Sequence, residues 1–145
     1  YKTQSKSGKR SKTVYEACEV SKGTHTSNSG IKRWLNKGQG DLVGLAEVRS
    51  ITAADKVKGF KRIAFQIPEE GKGACGRSFE DAFMLVNRTQ FGITGKDELL
   101  QEKKAFEKAE KLKKSKTDFA LKYAINNTKW KVPLYIREGI IWLAK

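Results

Sequence analysis

Between Arg62 and Val86 the spacing of apolar residues changes character, and no other feature of the chain restricts its fold as much. Over Arg62-Ile63-Ala64-Phe65-Gln66-Ile67-Pro68 the run is short, apolar and polar positions alternate, and proline closes it, which predicts a strand. A glycine-rich connector follows, after which Phe79, Ala82, Phe83 and Val86 recur at helical spacing. The order strand, loop, helix puts Ser78, Glu80 and Asp81 in the first turn of a helix beside the carboxyl end of a strand. α/β proteins hold ligands and reactive groups at such positions.

The connector and first turn carry more than one reading. Ser78 followed three residues later by Asp81 fits a capping box, in which a hydroxyl and a carboxylate satisfy free backbone N–H groups. Glu80 is an acid at the end of the helix where the dipole favours one. Gly71-Lys72-Gly73-Ala74-Cys75-Gly76-Arg77-Ser78 also has the glycine spacing of a phosphate-binding loop. Arg77, however, stands where that loop needs the compact charge of lysine, and no acidic strand follows downstream.

Charge narrows the partners. Lysine and arginine outnumber acids by 30 to 16, a formal charge of +14, which favours an anionic partner with nucleic acid first and a membrane surface second. No stretch has the length of a transmembrane helix, and the amino-terminal segment lacks the plan of a signal peptide. Cys18 and Cys75 are too few for a disulfide framework and have no CxxC partner for zinc, so a reduced, cytoplasmic setting is expected. With His25 the single histidine, any metal is expected on oxygen ligands, which suits Mg2+ or Mn2+.

Along the chain, residues 1–13 are lysine, serine, glycine and arginine with almost nothing apolar, and predict a mobile basic arm. Val14 to Val20 reads as a strand. Thr26, Ser27 or Asn28 then caps a helix bearing Ile31, Trp34 and Leu35. Asp41 to Val48 fits either a strand or a short helix, and Val20, Val48 and Ile67 are expected to end neighbouring strands of one small sheet with helices between. Asp97 to Lys116 predicts a charged helix with acids early and lysines late, including the pairs Glu107-Lys111 and Glu110-Lys114. Its lysine-rich end, Lys111, Lys113, Lys114 and Lys116, is the expected surface for a DNA backbone. Thr117 or Asp118 is expected to cap a further helix. After Pro133 a terminal helix is expected to close the core through Ile136, Ile140, Ile141 and Leu143 with Trp130 and Trp142.

Three stretches together resemble a known family. Phe65-Gln66-Ile67-Pro68-Glu69-Glu70 with Cys75-Gly76-Arg77-Ser78-Phe79-Glu80-Asp81-Ala82-Phe83-Met84-Leu85-Val86-Asn87 is similar to the carboxyl-terminal TOPRIM nuclease region of the OLD-family (overcoming lysogenisation defect) ATP-dependent endonucleases. Gly23-Thr24-His25-Thr26-Ser27-Asn28 upstream, and Lys116 to Leu121 with Trp130 to Ala144 downstream, agree in the family's order. The resemblance implies an α/β fold: a partial TOPRIM-like small sheet flanked by helices over 14–95, then a helical carboxyl-terminal portion of the same nuclease domain over 96–145.

The implied activity is divalent-metal-dependent hydrolysis of DNA phosphodiesters, coupled to an ATPase domain and serving in phage defence. Ser78 and Glu80 are then metal-site residues, and Glu80 and Lys116 are catalytic, Lys116 as the lysine that stabilises the charged phosphate in the transition state. Arg77 joins Lys111, Lys113 and Lys114 as DNA contacts, and Asp81, Thr26 and Ser27 support the site from behind. The chain opens at Tyr1 with Met84 its sole methionine, so a processed chain or fragment is expected. The ATPase domain, the TOPRIM glutamate and the Asp-x-Asp strand end would lie upstream, leaving a two-metal site incomplete and this polypeptide inert alone. Implied partners are DNA, the ATPase domain, further copies of the protein and other defence components. A non-catalytic basic nucleic-acid-binding module is the rival that charge alone supports.

Overall fold

The computed structural model describes residues 2–7, 12–38, 40–69, 71–112 and 115–145. They form a mixed α/β chain with two small antiparallel sheets. The chain divides into two compact units, Tyr1–Ala64 and Phe65–Lys145. The division falls inside the 14–95 portion expected as one α/β body.

In the first unit, strands β1 (Lys2–Ser7), β2 (Lys12–Ala17), β3 (His25–Thr26) and β4 (Val43–Gly44) make a sheet of order β2-β1-β3-β4. The sequence predicts a mobile arm over 1–13; the backbone of Lys2 to Ser7 instead pairs with that of Ala17 to Lys12. Main-chain hydrogen bonds are available to any sequence, so low hydrophobicity did not prevent strand pairing, and the rest of the predicted arm lies outside the described residues. Helix α1 (Ser29–Trp34) begins where the hydroxyl-rich stretch predicts, and the cap is Asn28, whose Oδ1 accepts the Ile31 N–H at 3.1 Å. The ambiguous segment Asp41 to Val48 is both things in turn, β4 followed at once by helix α2 (Leu45–Arg49).

The predicted sheet of Val20, Val48 and Ile67 does not form. Val20 lies in a 3-10 turn (Val20–Lys22), Val48 is buried inside α2, and Ile67 lies in no strand. Of the predicted Arg62 to Ile67 strand only Arg62 is laddered, as the end of β6 (Lys61–Arg62) against β5 (Val57–Lys58). An alternating pattern states which face a residue prefers; a strand also needs a partner edge, which that pattern does not specify.

The second unit is built on helix α3 (Phe79–Val86) and helix α4 (Glu98–Lys111), which pack on each other. The spacing of Phe79, Ala82 and Phe83 does its predicted work. Phe83 is fully buried, with ring centroids of Trp130, Phe119 and Phe91 at 5.2, 5.5 and 6.0 Å. Met84, Leu85, Ile93 and Ala105 complete that core. α4 starts as predicted, with Asp97 Oδ1 accepting the Leu99 and Leu100 N–H groups at 3.0 and 3.3 Å, and ends at Lys111 rather than Lys116. Lys113 and Lys114 lie outside the described residues.

Helix α5 (Lys116–Phe119) already includes its predicted caps and continues as a π-helical turn, Ala120–Ile125. Ser115 precedes it without a side-chain cap, so neither Thr117 nor Asp118 has the assigned role. Pro133 stands just outside helix α6 (Leu134–Leu143), whose Leu134 N–H is received by both carboxylate oxygens of Glu69, at 3.0 and 3.2 Å. Trp130 reaches the core as expected. α6 does not: Ile140, Ile141 and Leu143 are exposed. Among the described residues no helix is long and apolar enough to cross a membrane.

Candidate functional site around Ser78, Glu80 and Lys116

A close backbone approach creates the site. Gly76 lies against the start of α3 so tightly that a Cβ there would come within 2.4 Å of the Ala82 nitrogen and 2.6 Å of its Cα. Only glycine lets the loop turn under the helix at that point. From the other side Glu102 of α4, itself buried, accepts the Cys75 N–H at 2.9 Å. The loop entering α3 is therefore held by glycine at one residue and a buried carboxylate at its neighbour.

Ser78 is the N-cap of α3, its Oγ accepting the Asp81 N–H at 3.4 Å. The reciprocal half of the box is displaced by one residue, since Asp81 Oδ2 receives the N–H of Arg77 at 3.3 Å rather than that of Ser78. Ser78 Oγ also lies 2.7 Å from Glu80 Oε2 and 2.7 Å from Asp81 Oδ1. A hydroxyl has one proton and cannot donate fully to both carboxylates. The two acids are driven in opposite directions. Burial opposes ionisation of Glu80, but the Ser78 hydroxyl, a backbone N–H and the Lys116 ammonium outweigh it and hold the carboxyl below its usual value. Burial pushes the Asp81 carboxyl up; Ser78 and Arg77 pull against it without prevailing, and the charge of Glu80 adds to the rise. Of the two, Asp81 is therefore the acid that holds a proton more readily as pH falls.

A pH test follows. An acid whose folded pKa is raised contributes its full stability below the unfolded pKa and loses it as pH rises through the folded pKa. Asp81→Asn removes that loss, so its stability relative to the parent should improve as pH rises from below 3.8, the ordinary aspartate value, toward neutrality. Urea unfolding across that range checks the sign; a relative stability that worsens with rising pH would contradict a raised Asp81.

Lys116, distant in sequence, places Nζ 3.2 Å from Glu80 Oε1. Its side chain is 64% exposed, so the ion pair contributes little to folding. It also stands at the start of α5, where the helix dipole disfavours a cation. Helix stability therefore does not account for the arrangement. Tyr135 of α6 is the residue that sequence reasoning missed. Burial raises its phenol pKa, a hydrogen bond with Gln66 pulls the other way, and the Glu80 charge adds to the rise. Nothing in local periodicity singles out a tyrosine that meets this site only through tertiary packing.

The remaining predicted residues are placed differently. Arg77 Nη2 donates to Glu110 at 2.8 Å, Nε lies 3.7 Å from Asp81, and the guanidinium rests 4.8 Å from the centroid of Phe106. Two carboxylates and a ring occupy the cation that was expected to meet DNA, so it pins the loop to α4. Glu110, expected to pair with Lys114, has this partner, and Glu107 approaches Lys103 at 3.9 Å. Lys111 is exposed at the end of α4. Thr26 and Ser27 belong to the first unit, where the buried Thr26 Oγ1 accepts the Asn28 N–H at 3.1 Å.

Mg2+ or Mn2+ takes oxygen ligands, and Glu80 and Ser78 present the right atoms. They are too few. Asp81 is engaged by Arg77, and among the described residues no three His, Cys, Asp or Glu side chains are grouped to hold a metal ion. The chain thus offers part of a ligand set and not a metal centre of its own. Comparison with family models, curated proteins and solved structures finds no match.

Proposed function

We propose that this chain is part of a metal-dependent DNA endonuclease of the OLD-family TOPRIM kind, coupled to an ATPase domain in the parent protein and acting in the cytoplasm in phage defence. One observation carries the reading. Ser78, Glu80 and Lys116, chosen from the resemblance, meet within 2.7 and 3.2 Å although Lys116 is far along the chain. Glu80 and Ser78 would contribute oxygen ligands to Mg2+ or Mn2+, whose remaining ligands come from an upstream Asp-x-Asp and glutamate. The ion, when bound, supplies an activated water and stabilises developing negative charge.

The chain's own residues do the rest. Ser78 orients the Glu80 carboxylate, Asp81 supports Ser78 and Arg77 from behind, and Lys116 brings an ammonium to the phosphate as charge develops. Lys111 offers the DNA backbone a contact, Lys113 and Lys114 are the further contacts expected from the sequence, and further copies of the protein or other defence components would complete the assembly. The excess of basic residues, +14 overall, equally favours a non-catalytic nucleic-acid-binding module, which differs in needing no metal.

Cleavage by the metal-loaded parent protein separates the two. Lys116→Ala should lower single-turnover cleavage by about 10²-fold or more with little change in DNA affinity, as expected for a preorganised charge. Lys116→Arg should rescue poorly because a planar fork is a poor substitute for a compact ammonium. Small losses matching those of Lys103→Ala would return Lys116 to the solvated surface, and absence of cleavage by the parent protein would leave the binding module.

A further inference from the structure

The second unit has a cleft of about 940 Å³ to which none of Ser78, Glu80 and Lys116 contributes. It is formed by the loop after Gly71, the end of α3 and the turn following it, the start of α4, and the segment leading into α6. Lys72, Arg88, Lys96, Lys131 and Arg137 line it against two acids, Glu69 and Glu98. Both acids keep their charge, and the five cations still outnumber them. Glu69 gives both oxygens to the Leu134 N–H, and Glu98 lies in the first turn of α4 and packs on Gly73, where a Cβ would stand 3.0 Å from Glu98 Oε1. Among the described residues none of the five cations forms an ion pair. Arg88 donates to the neutral Gln101 amide at 2.8 Å, which fixes its guanidinium without cancelling the charge.

From this we infer that the cleft is a binding site for the phosphodiester backbone of a single nucleic-acid strand. Cations gathered around a concave surface concentrate their field on a bound anion, and repeated phosphates match several separated cations better than one compact anion does. A cleft of this size is on the scale of a ligand site, about 300–1,000 Å³, and so admits one strand and not a double helix. No aromatic side chain lines it, so bases have no ring to stack on and contacts run to phosphates. Binding is therefore salt-dependent and indifferent to sequence. Lys72 stands between Gly71 and Gly73, whose φ angles of 75° and 100° keep the main chain in a conformation open to glycine, so the rim of the cleft depends on both. The assignment rests on the DNA-binding part of the proposed function and adds a surface that Lys111 does not line.

The test uses the whole chain and a short fluorescein-labelled oligothymidylate, with anisotropy read across a salt series. Lys131→Ala with Arg137→Ala should weaken binding about tenfold or more and reduce the slope of log K against log salt by about 1.4, roughly 0.7 per lost phosphate contact on a single strand. Lys103→Ala with Lys108→Ala, a charge-matched change on exposed α4 positions outside the cleft, should do much less. Without any variant, bound oligothymidylate should shield Lys72, Lys96 and Lys131 from acetylation in preference to Lys103 and Lys108. Equal losses in the two double variants, or no preferential shielding, overturn the cleft site while strand binding by the parent chain leaves the DNA-binding reading standing. Shielding by inorganic tripolyphosphate but not by oligothymidylate overturns the nucleic-acid assignment. A parent chain that binds no strand at all overturns both.

Discussion

Glu80→Gln should leave the fold standing and stop DNA cleavage by the metal-loaded parent protein. Glutamine keeps the shape of the side chain and an oxygen for the Ser78 hydroxyl, which lies 2.7 Å from Glu80 Oε2. What it loses is charge. The ion pair lost, with Lys116 at 3.2 Å, involves a side chain that is 64% exposed, so the cost in stability should stay within about 1 kcal/mol. Because the folded pKa of Glu80 is lowered, that contribution is present above the ordinary value of 4.5 and disappears as pH falls through the folded pKa. Cleavage has no such cushion. A carboxylate that holds the ion cannot be replaced by a neutral amide, and a loss of about 10³-fold is expected from removing one group that stabilises charge in a preorganised site. Single-turnover cleavage and urea unfolding on the same samples decide the matter. A Glu80→Gln protein that cuts at the parental rate would refute the metal role.

Phe83→Ala should cost about 3–5 kcal/mol, the range for emptying a fully buried aromatic site. Phe83 has no exposed surface and faces Phe79, Phe91, Phe119 and Trp130, with centroids 5.2 to 6.0 Å away. Each ring pair adds about 0.5–1.5 kcal/mol beyond burial, and several are lost together. Domains of this kind are stable by only about 5–15 kcal/mol, so the second unit should be partly unfolded at ambient temperature. Near-ultraviolet circular dichroism and urea unfolding would register it. A shift below about 1 kcal/mol would mean that the rings do not share one core. Cleavage should fall as well, because Ser78 caps the same helix and Glu80 sits on its first turn.

What was legible in the sequence was local. Phe79, Ala82 and Phe83 announced α3, Asp97 announced the start of α4, and the Thr26 to Asn28 stretch announced α1, because helix periodicity and caps are properties of a few consecutive residues. The candidate trio of Ser78, Glu80 and Lys116 was named from motif resemblance, and no local rule joins Lys116 to the other two.

Tertiary packing settled what such rules leave undetermined. It left Ile67 without a strand partner and left Ile140, Ile141 and Leu143 exposed on α6, since a pattern of apolar residues does not say which surface arrives to cover them. Packing turned Arg77 from an expected DNA contact into a link between Asp81 and Glu110, because two carboxylates near a half-enclosed guanidinium attract it more strongly than solvent does. It brought Tyr135 toward Glu80 and gathered Lys72, Arg88, Lys96, Lys131 and Arg137 around one cleft from four separate segments. Composition determined that the chain would carry a net charge of +14; which cations would share a concave surface was decided only by the fold, because electrostatic fields depend on distance in space and not on distance along the chain.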